Sequence, residues 1–148
     1  MPVSIPDLQD LHAISIQQPW LDMIIRGVKT WEIRSWELKR RGLLALHAPM
    51  GIDYPAAHFQ GYRTPWELGR GRIVALASIT AVHELNESSW RNNVHLHRQP
   101  LPFVGGQYAI ELADVILLRR PVECRGRPSI FPVESVVIQR IADQLSAR

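Results

Sequence analysis

The decisive stretch of this sequence is Gly27-Val28-Lys29-Thr30-Trp31-Glu32-Ile33-Arg34-Ser35-Trp36. It places two cations, one carboxylate and two tryptophans within ten residues. From Thr30 onward, charged residues alternate with aromatic and β-branched ones, which is typical of a half-buried strand. We therefore predict a strand over residues 30–36.

The alternation also predicts which side chains face the same way. Glu32 and Arg34 are expected to share one face of the strand with Trp36, and to lie about 6.5–7 Å apart along it. Trp31 and Ile33 then take the opposite face, which we assign to the protein core. The polar face is the candidate site.

A short helix is predicted immediately before this strand. Pro19 suits the first turn of a helix, and Gly27 suits its end. Between them, apolar residues recur at helical spacing: Leu21, Ile24, Ile25 and Val28. Lys29 stands at the junction. Strict alternation would place it on the core face, but at a junction the period is not yet set, so we expect it to turn toward Glu32.

The rest of the chain predicts several short strands, one more helix and irregular connections. Strands are predicted over 12–16, 43–47, 71–85 and 107–118, with a turn and a short terminal strand within 121–133. We predict an N-terminal arm over 1–10 and an inserted loop over 49–70, with a short helix near 54–60. Residues 83–102 are predicted to be irregular. A helix is predicted over 134–147. We predict a single domain over 1–148 with a mainly β, α+β fold: a small β-barrel decorated by a few helices.

Composition and charge set broad limits on function. The chain is 46% hydrophobic and 21% charged, which is ordinary for a globular domain. A formal net charge of +3 permits an anionic partner without requiring one. The single cysteine, Cys124, suits a reducing compartment. No apolar run approaches the roughly 20 residues of a membrane span, and the N-terminus lacks a leader pattern. We expect a cytoplasmic protein without membrane contact.

Several short motifs together resemble a known family. They are Ile14-Ser15-Ile16-Gln17-Gln18-Pro19-Trp20, then Gly27-x-Lys29-x-x-Glu32-x-Arg34, then Arg41-Gly42 and a strand ending in His47-Ala48. This combination closely resembles the ASCH domain, a family with the PUA-like β-barrel fold and the signature G-x-K-x-x-E-x-R. The resemblance covers residues 12–48 well and the later strands loosely.

The resemblance implies a protein that binds RNA or a modified nucleoside in a cleft lined by the signature. Residues expected to bind the ligand are Gln18, Trp20, Lys29, Glu32, Arg34, Trp36, Arg40, Arg41 and Tyr108. No cofactor and no metal are implied, and the oligomeric state stays open.

The residue types suit such a ligand. Arg34 offers a planar fork for a phosphate or a base edge, and Lys29 offers a point charge. Trp20 or Trp36 can stack on a base, which contributes ~1–3 kcal/mol per base. From spacing alone, a surface ion-pair network of little energetic value is the commoner interpretation. The family resemblance favours the functional one.

An enzymatic alternative also follows from the resemblance. Some ASCH proteins hydrolyse the amide of N4-acetylcytidine, and ribonuclease activity has been described in others. In the amidohydrolase branch the signature lysine is catalytic, so Lys29 and Glu32 are the catalytic candidates here. That branch has threonine where this chain has Glu32, and uses a distant glutamate, for which Glu84 and Glu111 are the candidates. A third alternative is a protein-interaction module.

Other basic and histidine motifs have a functional and a structural interpretation. The run from Lys39 to Arg41, the pair Arg119-Arg120 and the motif Arg125-x-Arg127 either contact phosphates or form solvated turns. His95-x-His97 lacks the further ligands of a metal site. His47 is either a base near the cleft or a hydrogen-bonded structural residue.

Overall fold

The computed structural model describes residues 5–146, and side chains over 7–145. Within this range the chain forms six strands, six α-helices and a 3₁₀ turn at Pro65–Glu67. The strands are β1 (His12–Ser15), β2 (Trp31–Arg34), β3 (Gly42–Ala48), β4 (Arg72–Glu84), β5 (Tyr108–Glu123) and β6 (Ile130–Pro132). The helices are α1 (Ile5–Leu8), α2 (Trp20–Ile25), α3 (Tyr54–Phe59), α4 (Glu87–Asn92), α5 (Val94–His97) and α6 (Ser135–Ser146).

The six strands form one sheet in the order β2-β5-β4-β3-β1-β6. β1 runs parallel to β3, and the other pairs within the described chain are antiparallel. The register shifts once along β3–β4 and three times along β4–β5. Such irregularities bend strands and increase their twist. The sheet curls into a half-barrel, which confirms the predicted mainly β, α+β architecture.

The core lies on both faces of this sheet. Ile14 and Leu44 point into a cluster that includes residues of α2, whereas their neighbours Ala13 and Ala45 point into a second cluster with residues of α6. The switch between adjacent residues is the alternation expected of strands. A third cluster, built around Trp31, joins the edge of the sheet to α4.

The C-terminal helix is held to the sheet by apolar and polar contacts. Val137 and Ile141 are buried, as the predicted apolar face requires. The side-chain amide of Gln144, also buried, accepts from Arg120 N–H at 3.1 Å and donates to Arg120 C=O at 2.8 Å. Position 147 of the predicted helix lies outside the described residues. In the described chain no helix combines the length and the apolar character needed to cross a membrane.

The local predictions around the signature are confirmed with shorter bounds. The predicted helix is α2, and Gly27 follows it with a φ of +76°, a conformation that glycine adopts without strain. The strand predicted over 30–36 is β2, which ends at Arg34. Trp36 lies in the bend beyond it and packs against the cluster that contains α2.

Two predictions outside the signature were wrong. The polar segment 83–102 is not irregular, because it contains α4 and α5. Asn86 and Ser89 form a reciprocal capping box at the start of α4, which stabilises a helix of only six residues. The strand predicted to end at 118 continues to Glu123, so Pro121 lies within β5. The recorded register with β4 skips from Leu117 to Val122, which leaves room for a residue without an N–H.

The inserted segment and the N-terminal arm are both partly ordered by helices. The segment 49–70 contains α3, the short helix predicted there, whose first turn is capped by Asp53. Residues 1–4 of the predicted arm lie outside the described residues. Its remainder includes α1, and Leu8 is buried against the cluster beneath α6.

Candidate functional site

The turn between α2 and β2 decides the direction of Lys29. The backbone N–H groups of Val28 and Lys29 both donate to the carbonyl of Met23, at 2.9 and 3.2 Å. This tight closure, made possible by the positive φ of Gly27, breaks the strand alternation before β2 begins. Lys29 Nζ consequently lies 3.7 Å from Glu32 Oε1, on the side that the junction argument predicts.

The ammonium of Lys29 is completely buried, with two hydrogen bonds to backbone carbonyls and one ion pair. It donates to the carbonyls of Trp31, at 2.6 Å, and His97, at 2.7 Å, and it faces Glu32. It also lies 5.0 Å from the ring centroid of Trp20, within the range of a cation–π contact. The side chain has no exposed surface. A ligand therefore does not reach this nitrogen without a rearrangement of its surroundings.

Burial changes the acidity of this group. The pKa of Lys29 falls from 10.5 to about 8, because loss of hydration and the positive charge of Arg34 lower it more than Glu32 raises it. Desolvation is the largest cause, because two carbonyl dipoles and one carboxylate do not replace a full hydration shell. Lys29 remains mainly charged at neutral pH and becomes a neutral amine above about pH 8.

Glu32 and Arg34 share a face of β2, as predicted, and they form a two-point ion pair. Arg34 Nε and Nη2 lie 3.1 and 3.0 Å from Glu32 Oε2. Nη2 also donates to the carbonyl of Ser15 at 2.6 Å. The exposed side-chain fraction rises from 0% at Lys29 through 10% at Glu32 to 20% at Arg34. The cluster thus opens toward solvent at Arg34, whose Nη1 has no recorded partner in the described chain.

The aromatic candidates lie around this cluster. Trp20 is half-buried, covers Lys29 with its ring and donates from Nε1 to Asp53 Oδ2 at 2.9 Å. Trp36 is half-buried in the bend after β2. Tyr108 begins β5 as the register partner of Arg34 and is also half-buried. Trp20 thus contacts Lys29 and Tyr108 pairs with Arg34, whereas Trp36 packs against the apolar cluster that contains α2 rather than sharing the polar face predicted for it.

The polar candidates Gln18, Arg40 and Arg41 are engaged by the protein itself. Gln18 is buried, accepts from the N–H of Asp22 at 2.9 Å and donates to the carbonyl of Gly69 at 3.1 Å. Arg40 bonds to Asp10, and Arg41 donates to two carbonyls of its own turn. These contacts give each of the three a structural task.

The candidates for a second carboxylate lie away from Lys29. Glu111 accepts from Thr80 and His83 and lies 3.4 Å from Trp31 Nε1, on the face of the sheet opposite to Glu32. Glu84 is exposed at the end of β4. Within the described chain Glu32 is the one carboxylate within 4 Å of the Lys29 ammonium.

Two of the histidine candidates, His47 and His97, are hydrogen-bonded within the protein, whereas His95 is exposed. Both ring nitrogens of His97 bond to backbone, with Nε2 donating to Trp90 C=O and Nδ1 accepting from Gln99 N–H. Over residues 5–146 no group of three or more His, Cys, Asp or Glu side chains is arranged to hold a metal ion. His47 is buried, and its ring joins Ser15 to the carbonyl of Cys124.

Two cavities lie beside the signature cluster, and the sequence did not reveal either. One, of about 320 Å³, is mainly apolar and lies between Trp20, α3 and the segment 99–101. The other, of about 820 Å³, is a basic groove that contains Ser15 and His47. Their walls combine segments far apart in the chain, and no local motif connects those segments. Only the Arg125-x-Arg127 motif pointed to the basic groove.

Comparisons with known proteins agree with this geometry. The family model described as the ASCH domain matches residues 14–120. No curated protein shows a significant match. Among solved structures, an ASCH protein from Zymomonas mobilis superposes with a TM-score of 0.66 at 14% identity, covering 91% of this chain and 95% of that one.

Two variants of the same Zymomonas mobilis protein are also similar. A serine-to-alanine variant has a TM-score of 0.65 at 13% identity, covering 90% of this chain and 95% of that one. A tyrosine-to-phenylalanine variant has a TM-score of 0.53 at 14% identity, covering 90% and 97%. At these identities the similarity shows the fold, which is the PUA-like half-barrel. Together with the match over residues 14–120, it shows that the chain belongs to the ASCH domain family.

Proposed function

We propose that this domain binds RNA or a modified nucleoside at Arg34, with Lys29 and Glu32 holding that side chain in position. The observation that carries the proposal is the exposure gradient along the three residues, from 0% to 20%. Glu32 fixes one edge of the Arg34 guanidinium, and the Ser15 carbonyl fixes Nη2. A guanidinium held in this way offers its remaining edge to a phosphate or a base with little further loss of entropy.

The aromatic surroundings support a nucleoside as the ligand. Trp20, Trp36 and Tyr108 are half-buried, so each residue keeps part of its surface exposed to solvent. Stacking on an aromatic ring contributes ~1–3 kcal/mol per base and tolerates any base. In this proposal Arg34 supplies positive charge and orients the ligand by directional hydrogen bonds, and the aromatic rings supply most of the contact area with the base.

A titration of fluorescein-labelled, 12-nucleotide single-stranded RNA, followed by anisotropy, tests the proposal. Arg34→Gln removes one charge-assisted contact worth roughly 1.5–3 kcal/mol, so we expect RNA affinity to fall by about tenfold or more. Arg63→Gln is the matched control, because Arg63 is exposed and has no recorded hydrogen bond or ion pair in the described chain. Circular dichroism verifies that both variants are folded. Absence of RNA binding by the wild type, or equal affinity of the two variants, contradicts the proposal.

The second candidate is an amidohydrolase acting on an acylated cytidine, and one observation favours it. Burial brings the pKa of Lys29 to about 8, within reach of a role as nucleophile or base. In that role the amine has to lose its proton and release one of its two carbonyl acceptors. Incubation with N4-acetylcytidine should release cytidine faster as the pH rises through 8, and Lys29→Met should release none. No turnover by the wild type at pH 9 removes this candidate.

A further inference from the structure

The basic groove lies where the ends of three strands meet. Its walls come from the end of β3, the start of β4 and the loop that follows β5, and Ser15 of β1 lies on its floor. The volume is about 820 Å³, which is larger than a single small ion requires. The charged residues that line it are Arg70, Arg72, Arg125, Arg127 and Glu123.

None of the four guanidiniums of this groove forms an ion pair with a carboxylate of the described chain. Arg70 donates to the carbonyl of Met50 at 2.9 Å, and Arg72 donates to the carbonyl of Arg70 at 3.0 Å. Arg125 and Arg127 are exposed, and no hydrogen bond or ion pair of their side chains is recorded in the described chain. The first pair is therefore tethered to the wall by neutral acceptors, and the second pair is free to contact a ligand.

Three arginines elsewhere in the described chain do have an acidic partner. Arg26 pairs with Asp22, Arg34 with Glu32 and Arg40 with Asp10. In the groove one carboxylate, on the exposed side chain of Glu123, faces four cations. Positive charge collected in a concavity attracts anions more strongly than the same charge on a convex surface.

The floor of the groove is neutral and already hydrogen-bonded. His47 Nε2 lies 2.6 Å from the carbonyl of Cys124, and a carbonyl only accepts, so Nε2 carries the proton. Nδ1 then accepts from the Ser15 hydroxyl at 2.9 Å, since burial lowers the pKa of His47 and keeps the ring neutral. Attraction for an anion therefore comes from the arginines rather than from His47.

Gly126 determines how the free arginines are presented. A Cβ at this position would lie 2.6 Å from His47 Cε1 and 2.9 Å from Ser15 Oγ, so the backbone lies directly on the floor. The residues on either side, Arg125 and Arg127, are exposed. Two exposed guanidiniums separated by one glycine are suited to two neighbouring phosphates rather than to one compact ion.

The groove and the signature cluster meet at a single residue. The carbonyl of Ser15 accepts from Arg34 Nη2 at 2.6 Å, while the hydroxyl of the same residue bonds to His47 in the groove. A ligand that contacts Arg34 and continues past Ser15 enters the field of the four arginines. A nucleic acid strand has this form, with a base at one point and charged phosphates on both sides.

We propose that this groove binds consecutive backbone phosphates of the single-stranded RNA whose nucleoside is recognised at Arg34. Arg125 and Arg127 contact the phosphates directly, and Arg70 and Arg72 add fixed positive charge from the opposite wall. The proposal rests on the proposed function and extends it from one nucleoside to a strand.

The test compares two double variants that remove the same charge. Arg125→Gln/Arg127→Gln alters the groove, and Arg119→Gln/Arg120→Gln alters two exposed arginines outside it. With the labelled 12-nucleotide RNA at 50 mM salt, we expect the groove variant to bind at least about tenfold more weakly and the control to bind like the wild type. Cytidine affinity, measured by calorimetry, should be the same in both variants.

The possible results separate the two proposals. Wild-type RNA binding that is equally strong in the groove variant overturns the groove proposal and leaves recognition at Arg34 intact. Binding lost in the groove variant but retained in Arg34→Gln supports the groove and overturns recognition at Arg34. No wild-type binding overturns both. A polyglutamate peptide that displaces the RNA at equal concentration would assign the groove to acidic polypeptides instead.

Discussion

Lys29 keeps its charge in a place where water does not reach it. Two carbonyls and Glu32 stabilise the ammonium, and yet desolvation outweighs them, so the pKa falls from 10.5 to about 8. By linkage, burial of the charged Lys29 lowers the free energy of unfolding by roughly 3 kcal/mol at pH values where the lysine is protonated in both the folded and the unfolded state. The buried cation fixes the position of Glu32 through one ion pair, and Glu32 fixes the position of Arg34 through another.

The stability of the protein should therefore depend on pH through Lys29. The folded pKa lies below the unfolded one, so the unfolded state binds more protons between about pH 8 and 10.5. The penalty is fully present below pH 8 and is relieved as the pH rises through that interval. Urea unfolding at pH 7, 8, 9 and 10 should show the wild type gaining stability relative to Lys29→Met.

The sequence provides a control for this measurement, because it contains two lysines, Lys29 and Lys39. Lys39 has a side chain that is 79% exposed, so Lys39→Met should follow the wild-type pH dependence. With ¹³C-labelled lysine, the two Cε resonances report each pKa directly. A Lys29 resonance that titrates above pH 10 would contradict the assignment.

Most elements could be predicted from local pattern, including strands and the C-terminal helix far from the signature, whereas α4, α5 and the end of β5 could not. Alternation gave the faces of Glu32 and Arg34, and helical spacing gave α2. The short helices α4 and α5 were missed because their residues are polar, and their stability depends on a capping box and on burial of Trp90. The end of β5 was misplaced because Pro121 normally terminates a strand.

The loop after β5 should tolerate no side chain at position 126. Gly126→Ala places a Cβ within 2.6 Å of His47, and the neighbouring atoms are buried, so we expect a loss of about 1–3 kcal/mol in the free energy of unfolding. Gly69→Ala is the control, because its Cβ would meet its nearest neighbour at 3.8 Å, an ordinary contact. Urea unfolding of both variants measures the difference. Equal stabilities would show that the loop does not rest on the Ser15–His47 pair.

The basic groove is a property of the whole molecule. Its arginines belong to segments more than 50 residues apart, and they meet because β4 pairs with both β3 and β5. The chain as a whole carries 17 Lys and Arg against 14 Asp and Glu, a modest excess. Anion binding depends on where the excess positive charge lies on the surface, and the composition does not show its location. Tertiary pairing places unpaired cations beside the signature cluster.

Recognition of a nucleoside and of a strand should therefore respond differently to salt. Phosphate contacts release condensed counterions, so the logarithm of RNA affinity should fall with the logarithm of salt concentration. The slope should lie between about −1.4, for the two arginines in direct contact, and about −3, when all four neutralise phosphates. Cytidine carries no phosphate, and its affinity should change little between 50 and 300 mM salt. Anisotropy with the 12-nucleotide RNA and calorimetry with cytidine provide the two slopes. Equal slopes would contradict the groove proposal, because a strand whose phosphates contact arginines must release counterions that cytidine does not carry.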